Sequence, residues 1–374
     1  MEIKQPLITL TMAKPVPKGA GGFRLPSAQQ SFVLDTLMTP VGAVPIASEE
    51  LLWRDLRGHY LVRWNIGRDR FTVEPGLYAL GAPHSDSPVL VTANYKMSFD
   101  LLRQTMAGSD TWILVLDTKG INVWCAAGEG TFGTEELVDR IQASRLHEVV
   151  SHRRLIVPQL GATGVAAFEV KKYSGFSVCY GPVMVQDLPE FLESDCRATP
   201  EMRLKQFPFT ERLVLVPVDL MQALKQGLPL ILAMLLLAGF AGDMSFSKGM
   251  RVYGFPPALA VLCGIVAGSI VTPLLLPWIP GRAFSFKGGL CGLVLFVFLY
   301  ASSSVFVPES SSLVQLSCLI ITLGISSWFG MAFTGASTYT SLNGVRKEML
   351  RAMPAQFIGV VTGIGLWVAS LWMD

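Results

Sequence analysis

Histidine is scarce in this chain. Its four copies, His59, His84, His147 and His152, include no pair at H-x-x-x-H spacing, which places two imidazoles on one helix face. The six cysteines, Cys125, Cys179, Cys196, Cys263, Cys291 and Cys318, include no C-x-x-C pair, which argues against an iron–sulfur cluster or a zinc ribbon. Charge is sparse too. Only 16% of residues are charged, against about 25% in a soluble domain. The net charge is +2, and the absence of a basic stripe excludes nucleic acid as a partner. The opening MEIKQPLITLTMAKPVPKG lacks the apolar run of a signal peptide.

Apolar residues make up 51% of the chain and gather in its second half; the mean hydropathy is +0.46. After Lys225 come the runs Gln226–Gly242, Val252–Gly281, Gly288–Pro308, Ser310–Val345 and Ala352–Met373. A spanning helix needs about 20 mainly apolar residues. Five spans are expected, near 222–242, 255–277, 288–307, 312–335 and 354–372. Alternate loops carry Lys225, Arg282, Lys287, Arg346, Lys347 and Arg351. The other set carries Lys248 and Arg251, and the loop at Glu309 has no cation. Cations collect on the cytoplasmic side. The expectation is a multi-pass protein of the cell (cytoplasmic) membrane, with its N-terminal domain in the cytoplasm and its C-terminus outside. Cytosolic thiols should be reduced.

The expected division is an N-terminal arm over 1–60, an α/β domain over 61–220 and a five-helix transmembrane domain over 221–374. The arm is Pro-rich early and helical near Ser48–Leu56. PVLVTAN (88–94) reads as a strand and MSFDLLRQTMAG (97–108) as a helix. WILVLDT (112–118) and INVWC (121–125) read as strands joined by a turn at Lys119–Gly120. TFGTEELVDRIQASR (131–145) reads as a helix capped by Thr134. RLIVPQ (154–159) reads as a strand and GVAAFEVKKYSG (164–175) as a helix stopped by Gly175. FSVCYGP (176–182) and RLVLVPV (212–218) complete the expected strands. Strands alternating with helices indicate a mostly parallel, Rossmann-like sheet, with ligands at the carboxyl ends of its strands.

The most informative stretch is Asn122-Val-Trp-Cys-Ala-Ala-Gly-Glu-Gly-Thr-Phe-Gly133. Gly128, Gly130 and Gly133 spell G-x-G-x-x-G, but the acidic partner of a dinucleotide site is misplaced: Glu148 precedes the strand at 154 instead of ending it. Cys125 is open to two readings. It is a buried structural thiol, or it is a ligand or nucleophile favoured as thiolate by a nearby helix N-terminus.

NVWCAAG followed by GTFGTEEL resembles the cap-helix motif of the HgcA family, the corrinoid proteins of microbial mercury methylation. That family is related to the corrinoid subunit of the CO dehydrogenase/acetyl-CoA synthase complex. SPVLVTANYKMSFDLLR (87–103), TWILVLDTKGINVWCAAG (111–128) and LIVPQLGATGVAAFEVKKYSGF (155–176) are similar to the same family. So is the order of a corrinoid domain followed by five spans. The resemblance implies a cobalamin-type cobalt corrinoid with Cys125 as its lower axial ligand. It implies a cap built from Asn122, Val123, Trp124, Ala126, Ala127 and Gly128, with Thr92 and Asn94 lining the pocket. No histidine lies in the D-x-H-x-x-G pattern of histidine-ligated corrinoid enzymes.

The implied activity is corrinoid-dependent methyl transfer to Hg(II). Cobalt must be re-reduced each cycle, so the implied partner is HgcB, a ferredoxin-like 4Fe–4S protein donating electrons and Hg(II). A methyl donor protein or methyl-tetrahydrofolate pathway and membrane lipid complete the implied partners. The alternatives are a methyl carrier with another acceptor in one-carbon metabolism, or a membrane transporter or sensor with a ligand-binding domain. The spans have almost no ionisable residues, so they read as an anchor or docking surface.

One position departs from the family pattern: Glu129 stands where the motif has lysine. It reads either as a solvated cap residue or as a change that weakens corrinoid or partner contact. Gln159–Gly164 has small residues that permit close approach of a planar ligand, or is a plain turn. His84-Ser-Asp-Ser reads as a strand cap or a contact at the corrin periphery. Lys171 and Lys172 read as solvated partners of a helix dipole, and Cys179 as core. Cys263, Cys291 and Cys318, one per span, are weak candidates for passing Hg(II) inward.

Overall fold

The computed structural model describes residues 22–240, 245–302, 311–336 and 342–373. The chain start and the loop at Glu309, both used above, lie outside the described residues. Two compact units are present: 1–61 with 67–205, and 62–66 with 206–374.

The first unit is built on one seven-stranded sheet. Its strands are β1 (Val33–Thr39), β2 (Gly42–Ala47), β3 (Gly76–Leu80), β4 (Val89–Ala93), β5 (Thr111–Leu116), β6 (Arg154–Val157) and β7 (Ser177–Tyr180), in spatial order β1-β2-β3-β5-β4-β6-β7. β1/β2 and β3/β5 are antiparallel, and the other four pairings are parallel. The mostly parallel expectation therefore holds. β3, β4 and β5 are buried along their whole length, because helices cover both faces and leave no solvated side for alternation.

The helices of this unit are α1 (Trp53–Arg63), α2 (Lys96–Thr105), α3 (Val123–Glu129), α4 (Thr134–Ala143), α5 (Leu146–Val149), α6 (Ala167–Ser174) and α7 (Leu188–Glu193). Val89, Val91 and Ala93 of β4 pack with Leu137 and Ile141 of α4 and Val170 of α6. Leu90 packs on the other face with Phe99 and Leu102 of α2 and Phe191 of α7. Successive side chains of a strand point to opposite faces, so one strand feeds both cores. The connection leaving β4 goes through α2 to one face. The connection leaving β5 goes through α4 to the other face and returns beside β4 as β6. The carboxyl end of β4 is therefore a topological switch point, where open α/β sheets bind ligands.

Several expectations are corrected. Ile121–Cys125 is not a strand: Asn122 caps α3 and its side chain accepts the Cys125 N–H. A short, mainly apolar stretch does not distinguish a strand from a helix turn. Residues 212–218 are not a strand either, but the opening turns of a helix over Phe209–Ala238. Residue 220, the expected domain boundary, lies inside that helix. Gly133, not Thr134, is the N-cap of α4; the Thr134 hydroxyl accepts instead from the Ala166 N–H at 2.8 Å. Part of the expected arm is the β1–β2 hairpin, with α1 following at Trp53.

The second unit is helical. Its long helices are α8 (Phe209–Ala238), α9 (Phe246–Leu275), α10 (Phe284–Ser302), α11 (Ser312–Ala332) and α12 (Leu342–Met373). All five are long and apolar enough to cross a membrane by length and composition. α9 contains two π-helical turns, Met250–Gly254 and Ala267–Val271. Pro217, Pro229 and Pro354 lie inside helices, and helix packing in a bundle re-satisfies the backbone groups they free.

Candidate functional site

The carboxyl ends of β4, β6 and β7 open onto a cavity of about 350 Å³. β4 contributes Leu90, Val91 and Thr92, and the α3 end contributes Asn122, Val123 and Trp124. Residues 181–186 and Lys205 close the far side. The wall is mainly apolar, as ligand pockets are.

The turn before α3 is held from β4. Asn94 Oδ1 accepts from the Thr118 N–H at 3.0 Å and the Gly120 N–H at 2.9 Å, and the Thr118 hydroxyl donates to it at 2.8 Å. Lys119 and Gly120 both take positive φ, 58° and 75°, so the turn needs this outside support. Asn94 is thus 6% exposed and committed to the turn. It is not among the residues that line this cavity.

Asn122 then starts α3 with both ends of its amide. Oδ1 accepts from the Cys125 N–H at 3.0 Å, and Nδ2 donates to Cys125 Sγ at 3.5 Å. Residues three apart share a helix face, so Asn122, Cys125 and Gly128 line up. Cys125 is half-buried. A Cβ built on Gly128 or Gly130 meets nothing within 4 Å, so this face is open. Ala126 and Ala127 turn the other way into the core, 0% and 5% exposed. Gly130, with φ 89°, ends the helix.

The nine residues singled out in the sequence therefore separate into three groups. Thr92, Asn122, Val123 and Trp124 line the cavity. Cys125 and Gly128 lie on the open face of the cap. Asn94, Ala126 and Ala127 support it from within.

In the Gln159–Gly164 loop Leu160 lines the cavity, while the two glycines make room for protein. A Cβ on Gly164 would stand 2.1 Å from Phe132 O and 3.1 Å from Ala127 Cα, and one on Gly161 would meet the Phe132 ring at 2.5 Å. The loop is the seat on which the cap rests. Replacing Gly164 by alanine is expected to unseat the cap at a cost of about 1–3 kcal/mol. Thermal melting of the detergent-solubilised protein measures this; an unchanged midpoint would contradict the packing described.

Sequence reasoning missed Lys205, Met184 and the 181–186 segment. They lie far from the motif in the chain, and only the β6–β7 pairing brings them to it. Lys205 Nζ is 3.1 Å from Met184 Sδ. In the turn before β4 the His84 backbone N–H donates to Ser87 Oγ at 3.0 Å. Cys179 packs at the edge of the second core, and burial pushes its thiol up.

Among the described residues no group of three or more His, Cys, Asp or Glu could hold a metal ion. A metal at Cys125 would have to bring most of its ligands with it. A macrocycle does so, and needs from the protein one axial donor on an open face. Cys125 beside Gly128 fits that requirement.

This geometry defines a class of protein: a doubly wound α/β domain with a cysteine-bearing cap helix at the switch point of its sheet. Comparison with known proteins narrows the class. Residues 65–188, which contain all nine residues of the three groups above, match the family model of the CO dehydrogenase/acetyl-CoA synthase delta subunit. The acetyl-CoA decarbonylase/synthase complex subunit gamma of Methanopyrus kandleri is 35% identical over 130 residues, which is 34% of this chain and 28% of that protein. The subunit gamma of Archaeoglobus fulgidus is 30% identical over 155 residues, 39% of this chain and 33% of that protein. The chain thus spans about a third of the length of these curated relatives, and the matched family segment ends before the first long apolar helix at Phe209.

Proposed function

We propose that this protein is a membrane-anchored corrinoid protein that transfers a methyl group to Hg(II), with Cys125 as the lower axial ligand to cobalt. The observation that carries the reading is the placement of Cys125 on an open cap face, oriented by Asn122, at the switch point of the sheet. The similarity of residues 65–188 to the delta-subunit family supports the corrinoid part. The NVWCAAG motif supports the mercury part.

Each residue has a task in this reading. Asn122 holds the Cys125 backbone and aims an N–H at its sulfur, which orients the side chain. Thr92, Val123 and Trp124 keep water from the inner side of the cap. Asn94 fixes the turn that sets the height of α3. A bound corrinoid would supply the methyl group, and sulfur donation from Cys125 would push electron density towards its metal, as an electrophilic acceptor such as Hg(II) requires.

The chain has no C-x-x-C pair, and in this reading electrons come from a separate ferredoxin-like protein such as HgcB, which is also the proposed Hg(II) donor. A methyl donor protein or methyl-tetrahydrofolate would reload the cofactor. The five apolar helices anchor the protein in the cell membrane. The cation bias of alternate loops supports a cytoplasmic first unit and an outside C-terminus.

A second reading is a corrinoid methyl carrier with another acceptor, favoured by the acetyl-CoA decarbonylase/synthase names of the relatives. Loading the full-length protein with methyl-corrinoid and adding Hg(II) separates the two. Methylmercury formed at the expense of the loaded methyl supports mercury methylation. A retained methyl group that passes to another acceptor supports the carrier.

Glu129 is exposed at the last position of α3. It is therefore at the unfavourable end of the helix dipole for an acid. Glu129→Lys is expected to raise stability by a few tenths of a kcal/mol and to leave corrinoid occupancy unchanged. A clear change in occupancy, read from cobalt content per chain, would mean that position 129 touches the cofactor.

A further inference from the structure

The helical unit contains a second concave site, unconnected with Cys125. A cavity of about 1090 Å³ is lined by Arg282, Lys287, Lys347 and Arg351, with Glu348 as its single carboxylate. Four cations less one anion leave an excess of three positive charges. Glu348 Oε1 accepts from the Ser285 N–H at 2.6 Å, and Lys287 Nζ donates to the Leu276 carbonyl at 2.7 Å. Among the described residues Arg282, Lys347 and Arg351 form no ion pair. Like charges gathered in a concavity repel one another, and a bound anion relieves that repulsion.

The cavity does not end at the charges. Ser285 and Ala352 line both it and a groove of about 430 Å³ between α10, α11 and α12. The groove runs past Phe286, Leu323 and Ala355 and is widened by Gly289 and Gly359. A Cβ on Gly359 would meet nothing within 4 Å, and one on Gly289 only Ser327 Cβ at 3.9 Å. The protein itself leaves this apolar channel unfilled.

A polar end that wants a phosphate and an apolar channel leading from it are complementary to one kind of molecule. We propose that this site binds one anionic phospholipid, its headgroup phosphate among Arg282, Lys287, Lys347 and Arg351 and one acyl chain along the groove. Basic pockets between membrane helices recognise lipid headgroups by this chemistry. A zwitterionic headgroup is disfavoured, because its ammonium would add to the excess positive charge. A free phosphate would leave the groove empty.

Native mass spectrometry of the full-length protein in detergent tests the proposal with phosphatidylglycerol, phosphatidylcholine and inorganic phosphate as probes. One phosphatidylglycerol per chain should be retained, with phosphatidylcholine at least tenfold weaker. The exposed double variant Arg282→Gln/Arg351→Gln should weaken phosphatidylglycerol about thirtyfold. Gly359→Leu, which fills the groove and leaves every charge in place, should weaken it several-fold, and millimolar phosphate should not displace the lipid. Equal retention of the two lipids would overturn the proposal, as would full retention by the arginine double variant. Displacement by phosphate together with unchanged binding in Gly359→Leu would overturn it in favour of an anion site without a lipid tail. Thermal midpoints of the lipid-free variants should match the unsubstituted protein.

Discussion

Cys125→Ala should lower methyl transfer to Hg(II) by about 100-fold or more, while the first unit stays folded. The scale follows from metal sites in general, where loss of even an outer-shell partner costs about 10–100-fold, and here the proposed donor itself is removed. The fold should tolerate the change because Cys125 is half-buried on an open face and its neighbours Ala126 and Ala127 supply the core contacts. Asn122 would still cap the helix, since its Oδ1 bond goes to the backbone N–H of residue 125. Methylmercury formation by the loaded protein measures the effect. Full activity in Cys125→Ala would show that electron push from a thiolate is not part of the reaction.

Asp100→Ala should cost stability on a comparable scale. Asp100 is at the centre of a buried charge network joining α1 to α2. Its carboxylate accepts from Lys96 Nζ at 2.7 Å, Arg103 Nε at 2.9 Å and His59 Nε2 at 2.9 Å. Asp55 shares Lys96 at 2.7 Å and Arg103 at 3.0 Å. Arg103 and Asp100 are 0% exposed and Asp55 is 2% exposed. Removing one member strands the others without water, at about 3–5 kcal/mol, against a total domain stability of about 5–15 kcal/mol.

The same network makes a pH signature. Burial alone would raise the Asp100 carboxyl, but the His59 hydrogen bond and the charges of Lys96 and Arg103 outweigh it and hold the group below its ordinary 3.8. A carboxyl whose folded pKa is depressed stabilises the fold above the unfolded pKa and loses that contribution as pH falls through the folded value. The stability gap between the unsubstituted protein and Asp100→Asn should therefore be full at neutral pH and narrow below about pH 4. Denaturation of the two proteins across that range checks the sign. A gap that stays constant into strong acid would contradict an ionised Asp100.

Much of this architecture can be read from the chain. β4 and β5 announce themselves by apolar runs, and α2 by its pattern, although it stops at Thr105 with Met106 as its C-cap, short of the Gly108 expected from sequence. Gly175, with φ 79°, ends α6 as a left-handed cap should. The cap helix is harder to see, because Val123–Cys125 is apolar and short, and only the Asn122 side chain decides for helix over strand. The β1–β2 hairpin is hidden by Pro45 in the middle of β2 and by the irregular register between Val33 and Asp35. The charge network is also hidden: Lys96, Asp100 and Arg103 have the spacing of an ordinary solvated helix face. Only α1, packed over them, turns that face inward. Thr92 is legible only through the family resemblance of the strand that holds it, whereas Lys205 needs the folded chain to reach the cavity.

The central claim is that Cys125 holds cobalt from below. The visible absorption spectrum of the full-length protein reconstituted with a cobalamin-type corrinoid, compared with Cys125→Ser, tests it most directly. The account predicts a coloured protein whose corrinoid bands move when the sulfur is replaced by oxygen. A colourless protein, or identical spectra for the two, would contradict it.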